Sequence, residues 1–173
     1  MSITVAQFLD VSEGVQPGQF TVGSHGEVAS LDDLDPTYKQ LLDAPYACVM
    51  SVIGGDGRPN LTPMWFDYDG DKVLVNVAEH RRKTGWIRSN PQISVIIVDP
   101  ANMYHWVSMK LTVAREISED DPDEGSRVSE QLDKIWVKYT QADPPYGLRD
   151  PGLDERRVLF ECRVDRIATF GVP

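Results

Sequence analysis

The chain has 173 residues, with 27 acidic side chains against 17 basic ones, for a net charge of -10. This is the length of a single domain. Its acidity excludes nucleic acid and an anionic membrane surface as partners, since both demand a basic face. No apolar run approaches the ~20 residues of a membrane-spanning helix. The N-terminus has neither a basic segment nor a long apolar stretch, which predicts no signal peptide and a cytoplasmic protein.

Residues 1–30 are polar and glycine-rich with weak periodicity, and read as an N-terminal arm that carries an idle His25. Residues 31–173 make the domain. Asp35-Pro36 is a helix start, with Asp as N-cap and Pro at the first helical position. The helix runs to about Asp43, with Leu41 and Leu42 inward. Tyr46 to Ile53 is a strand, Gly54-Gly55-Asp56-Gly57 a hairpin turn, and Pro59 to Tyr68 the returning strand. Pro63 lacks an N–H and so needs a sheet edge or a bulge. Asp69-Gly70-Asp71 turns the chain into a strand over 72–78, and a helix over 82–89 leads to the apolar strand Gln92 to Val98. Asp99 to Asn102 is another turn. His105 to Ile117 alternates with period two, Val107, Met109 and Leu111 sharing one face. The acidic connector Glu119 to Glu124 lacks the calcium-loop pattern and reads as a solvated helix approach, not a metal site. Val128, Leu132, Ile135 and Tyr139 space a helix over roughly 124–140. A Pro/Gly loop then leads to the last strand, Arg157 to Phe170. Cys48 and Cys162 lie within strands and read as small core residues. Six mostly antiparallel strands with flanking helices predict a mainly β (α+β) barrel.

One segment stands out chemically. Arg81, Arg82, Lys83 and Arg88 place four cations within eight positions where a strand ends and a helix starts. A positive focus on an acidic background suits one local anionic ligand. The uncapped N–H groups of a first helical turn suit phosphate, and Arg and Lys add a fork and a point charge. A solvated helix face is the competing reading. The other candidates are weaker. His80 reads first as an exposed turn residue and second as a phosphate or substrate contact. His105 reads as strand-end packing before a proton donor. Trp136 and Tyr139 read as core or interface aromatics before a substrate wall, and Arg149 with Asp150 as a surface ion pair. There is no Ser-His-Asp set, Cys/His cluster or GxGxxG motif.

Taken in order, Gly57-Arg58-Pro59, the strand Leu61-Thr62-Pro63-Met64-Trp65-Phe66, Arg81-x-Lys83-Thr84, Asn90-Pro91 and the apolar strand that follows form a pattern. It resembles the split-barrel flavin and deazaflavin oxidoreductases of the pyridoxamine 5'-phosphate oxidase superfamily, and within it the branch that uses the deazaflavin F420. The C-terminal run from Glu155 to Phe170 is similar to that branch as well. The resemblance spans roughly residues 31–172. It implies a six-stranded antiparallel split barrel and a homodimer with two cofactor sites between subunits. It also implies F420, alternatively FMN, as cofactor, with hydride transfer to a small organic substrate; the alternative is a non-catalytic flavin-, deazaflavin- or haem-holding module. Arg81, Arg82, Lys83 and Thr84 then bind the phosphate end, while Thr62, Pro63, Met64 and Trp65 line the ring. Trp65 and Phe66 cannot both face the ring, because neighbours on a strand point to opposite sides. Arg82 and Arg88 are the cations available to the anionic tail of F420. Three charge-assisted bonds at ~1.5–3 kcal/mol each give about 5–9 kcal/mol before entropy costs. Micromolar binding needs about 8 kcal/mol net, so ring burial supplies the remainder. No catalytic side chain is identified, in keeping with chemistry carried by the coenzyme.

Overall fold

A computed structural model of the protein describes residues 2–8 and 22–171, so part of the expected arm lies outside the described residues. The elements run β1 (Ile3–Phe8), β2 (Val22–Val28), α1 (Pro36–Asp43), β3 (Cys48–Ile53), β4 (Pro59–Met64), β5 (Asp67–Asp69), β6 (Lys72–Ala78), α2 (Arg82–Ser89), β7 (Gln92–Asp99), β8 (Asn102–Ser118), α3 (Gly125–Thr140) and β9 (Arg157–Phe170). The architecture is the mainly β split barrel with flanking helices, built from nine strands among the described residues rather than six. Two of the additions are β1 and β2, an antiparallel pair from the segment read as an arm. The third is β5, because the strand expected over 59–68 breaks at Trp65–Phe66.

β9 organises the sheet. It pairs with β8 along nearly its whole length. Its other edge is shared: β6 takes residues 157–163 in antiparallel register, and β1 takes 166–170 in parallel. The path continues from β8 through β7 and β3 to β4, which ends it. Pro63 therefore sits on an edge strand, where its missing N–H breaks no ladder. β5 pairs with β6 alone, so the barrel is split between β4 and β5. Tyr139 of α3 bridges this seam. Its hydroxyl donates to the Tyr46 carbonyl at 2.8 Å and accepts from the Phe66 amide at 3.4 Å.

The interior is filled by one side of each alternating strand, among them Met50, Val75, Val95, Met109 and Phe160. α1 closes one end with Tyr38, Leu41 and Leu42, and its N-cap Asp35 accepts from the Thr37 amide at 2.9 Å. α3 lies outside, where Val128 packs with Ile117 and Leu159 in a second small cluster. That cluster explains why residues 157–162 are buried without alternation: the barrel covers one face of β9 and α3 the other. Register shifts in β8 at Lys110/Leu111 and Val113/Arg115 turn Ile117 toward the helix side. Cys48 and Cys162 are free thiols in the core, and burial pushes each up to about 12.

Candidate functional site

The ends of β4 and β6, the start of α2, one face of α3 and the loop before β9 enclose a cavity of about 400 Å³. This is within the range of small-molecule sites. Pro63, Met64 and Trp65 form one wall, and Arg81 and Lys83 the rim. Leu132 and Ile135 come from α3, Tyr146 and Leu148 from the loop, and Asn76 and Arg157 from the paired strands β6 and β9. Trp65 is fixed by stacking on Tyr139, with ring centroids 5.0 Å apart and planes 11° from parallel. Phe66 takes the opposite direction into the core, fully buried, with the Lys138 ammonium 4.7 Å from its ring centre.

The rim is shaped by a tight turn after β6. The Arg81 amide donates to the Ala78 carbonyl at 3.1 Å, and Thr84 Oγ1 donates to the same oxygen at 2.9 Å. This turn brings Arg81 and Lys83 to the cavity. Arg81 occupies the N-cap position of α2 without a side-chain cap, so first-turn amides of the helix have no side-chain acceptor. Arg81, Arg82 and Lys83 make no ion pair among the described residues, in a protein whose other arginines are largely paired. Burial, and next the charge of Arg81, hold the Lys83 ammonium below the ordinary lysine range. Neighbouring uncompensated cations in a cleft create a demand for an anion.

The third cation of the cavity is compensated. Arg157 is ion-paired with Glu155, and its Nε donates to Asn76 Oδ1 at 2.7 Å. Asn76 Nδ2 in turn donates to the Val128 carbonyl and to Gln131 Oε1, each at 3.0 Å. This buried network ties β6, β9 and α3 together beneath the cavity.

Of the eight residues expected to bind cofactor, Pro63, Met64, Trp65, Arg81 and Lys83 come together at this cavity. Thr62 is not among its lining residues; its Oγ1 donates to Asn60 Oδ1 at 3.4 Å. Arg82 lies on a second cleft, of about 760 Å³, between the β3–β4 turn and α2, beside Arg58 and Trp86. Thr84 is fully buried, its hydroxyl committed to Ala78. Arg88 is held by Glu79 at 2.8 Å and Glu116 at 2.6 Å, so its charge is already compensated within the chain. His80 is exposed in the turn. His105 is fully buried outside the cavity, with Nδ1 3.3 Å from Asp99 Oδ2 and Nε2 2.9 Å from the Thr37 carbonyl. Arg149 pairs with Glu119 of the acidic connector, not with Asp150. Sequence reasoning missed Asn76, Leu132, Ile135, Leu148 and Arg157 as cavity residues. An Asn inside the apolar run 73–77 was the available signal, because a buried amide needs partners from elsewhere in the fold.

Comparison with known proteins follows the same line. A solved structure described as an F420 reductase superposes with a TM-score of 0.60 and 23% identity, over 78% of this chain and 98% of that one. The haem storage protein HutZ from Vibrio cholerae gives 0.57 and 14% identity, over 80% of this chain and 96% of its own. A conserved hypothetical protein from Mycobacterium tuberculosis gives 0.55 and 18%, over 76% and 80%. At these identities the likeness is one of fold. No curated protein matches the chain. The family model of pyridoxamine 5'-phosphate oxidase matches residues 34–170, which takes in every strand from β3 to β9 and the whole cavity. The chain belongs to the pyridoxamine 5'-phosphate oxidase family.

Proposed function

We propose that the protein is an oxidoreductase that binds F420, or alternatively FMN, in the cavity beside β4 and reduces a small organic substrate. The observation that carries this reading is the pair of uncompensated cations, Arg81 and Lys83, on the rim of a cavity whose third cation, Arg157, is ion-paired. The donor set fits a phosphorylated coenzyme: charge and uncapped helix amides at one end, apolar surface from Met64 and Trp65 beyond it. When bound, such a coenzyme supplies the hydride chemistry itself. The chain's own residues hold the phosphate, orient the ring along Pro63 to Trp65, and exclude water with the loop that carries Tyr146 and Leu148. The cleft beside Arg82 favours F420, whose anionic tail continues past its phosphate. The exposed edge strand β4, with Leu61 66% exposed, supports a homodimer that completes the site.

A second reading is a module that holds a flavin, deazaflavin or haem without turnover; the likeness to HutZ supports it. Its haem version is weakened by the histidines, since His105 is engaged on both ring nitrogens.

The test is titration of FMN and of F420 into wild type and the Arg81→Ala/Lys83→Ala variant. Losing two charge-assisted contacts should weaken binding by roughly a hundredfold or more, with an unchanged melting curve. Unaltered affinity in the double variant refutes the assignment. Turnover with reduced coenzyme and a panel of enones, quinones and nitro-compounds separates the enzyme from the holding module.

A further inference from the structure

The cations of the cavity are unevenly compensated. Arg81 and Lys83 have no counter-charges among the described residues. Arg157, the third cation of the lining, is neutralised by Glu155, whose side chain is only 6% exposed. Leu132, Ile135 and Leu148 make the surroundings apolar.

Beside this neutral pair Tyr146 differs from the other polar groups. Its amide donates to Asp133 Oδ1 at 2.8 Å. Its ring meets Trp136 edge-on at 5.7 Å and lies 5.4 Å from Arg157 Cζ. Gly147 leaves the room for this packing: a Cβ there would come within 3.2 Å of the Trp136 ring. The ring is thus held on two sides and its backbone by Asp133, while the hydroxyl makes no hydrogen bond among the described residues. A fixed ring with a free donor is preorganised to bind an acceptor.

We propose that the part of the cavity beside Tyr146 and Arg157 is the substrate subsite, that it takes a flat, uncharged molecule bearing one carbonyl- or nitro-type acceptor, and that the Tyr146 hydroxyl donates the hydrogen bond that orients it. The inference rests on the reading of Pro63 to Trp65 as the ring wall: the Trp136 ring lies 6.4 Å from that of Trp65 and 5.7 Å from that of Tyr146, which puts Tyr146 beside that wall. An anionic substrate would be desolvated against a pair that carries no net charge. A pure hydrocarbon would bury the phenol hydroxyl without a partner.

Three isosteric probes test this on the cofactor-free, full-length protein by equilibrium dialysis: 2-acetylnaphthalene, 2-isopropenylnaphthalene and 2-naphthoate. Wild type should prefer the ketone to the hydrocarbon. Tyr146→Phe keeps the ring contacts and should weaken ketone binding about five- to tenfold, the effect of one hydrogen bond, while hydrocarbon binding stays put. In the Arg81→Ala/Lys83→Ala background, where the cationic rim is gone, 2-naphthoate should bind more weakly than the ketone. Equal ketone binding by wild type and Tyr146→Phe overturns the proposal, as does tighter binding of naphthoate than ketone in the double variant. Leu148→Asp is a second variant at a position 60% exposed, where the fold tolerates a charge. It should weaken both neutral probes, and unchanged binding places the subsite elsewhere. FMN and F420 titrations alongside keep the two readings apart. A wild type that binds neither coenzyme, yet shows the Tyr146-dependent preference, sinks the coenzyme reading and leaves the subsite standing.

Discussion

Lys83 owes its depressed pKa first to burial and then to the neighbouring Arg81 charge. A phosphate binds the charged form, so its affinity is fully present below that depressed value and falls as pH rises through it. The fall therefore begins at lower pH than for an ordinary lysine. Lys83→Arg stays charged throughout and should flatten the alkaline limb of a plot of coenzyme affinity against pH. A limb of the same shape in both proteins excludes Lys83 from the anion site. Thr84 makes a separate prediction. Its hydroxyl is committed to the Ala78 carbonyl, so Thr84→Val should cost about 1 kcal/mol of stability in urea unfolding. Coenzyme affinity in the variant should change little, whereas a large loss would show the hydroxyl turning to phosphate on binding.

At the scale of elements, ion pairs and hydrogen bonds join what the sheet ladders leave apart. Glu161 on β9 reaches Lys72 on β6 at 3.1 Å and Arg127 on α3 at 2.5 Å. Burial alone would raise its carboxyl, but the hydrogen bonds from Lys72 and Arg127 outweigh this and hold it below the ordinary glutamate range. A carboxyl with a lowered folded-state pKa contributes stability that is present above its unfolded value, near ~4.3, and is lost as pH falls through the folded one. Glu161→Gln should therefore lower stability at neutral pH by roughly 1–3 kcal/mol and reduce the acid dependence seen in melts between pH ~5 and ~3. The seam between β4 and β5 has its own fastener in Tyr139, whose hydroxyl burial pushes well above the usual phenol range, keeping it a donor. Tyr139→Phe should cost about 1 kcal/mol. Hydrogen exchange should rise locally, near Tyr46 and Phe66. Faster exchange throughout the sheet would instead mean that the seam controls global unfolding.

For the whole molecule, β4 decides how the proposed dimer and its cofactor sites relate. Leu61→Asp changes a residue that is largely exposed in the single chain, so the melting of the isolated protomer should shift little. Sedimentation velocity should show loss of the dimer, and coenzyme binding should fall with it. Dimer loss with full coenzyme affinity would place the site within one protomer.

What the sequence determined by itself was the family, and with it the split barrel, through the order of its motifs, together with local chemistry. The Asp35-Pro36 start of α1, the Gly54–Gly57 and Asp69–Asp71 turns, and the cationic run after β6 depend on chemistry between near neighbours, and near neighbours are visible in a linear chain. Tertiary structure decided which of those residues work together. Ala78 lies opposite Arg157 in the β6–β9 ladder, and that register brings a residue 79 positions downstream beside the rim. Arg88 belongs to the same cationic run as Lys83, yet Glu116, 28 residues away, compensates it. The sequence could announce a cluster of charge. Only long-range pairing could say which charges were already satisfied, because compensation acts through space and not along the chain.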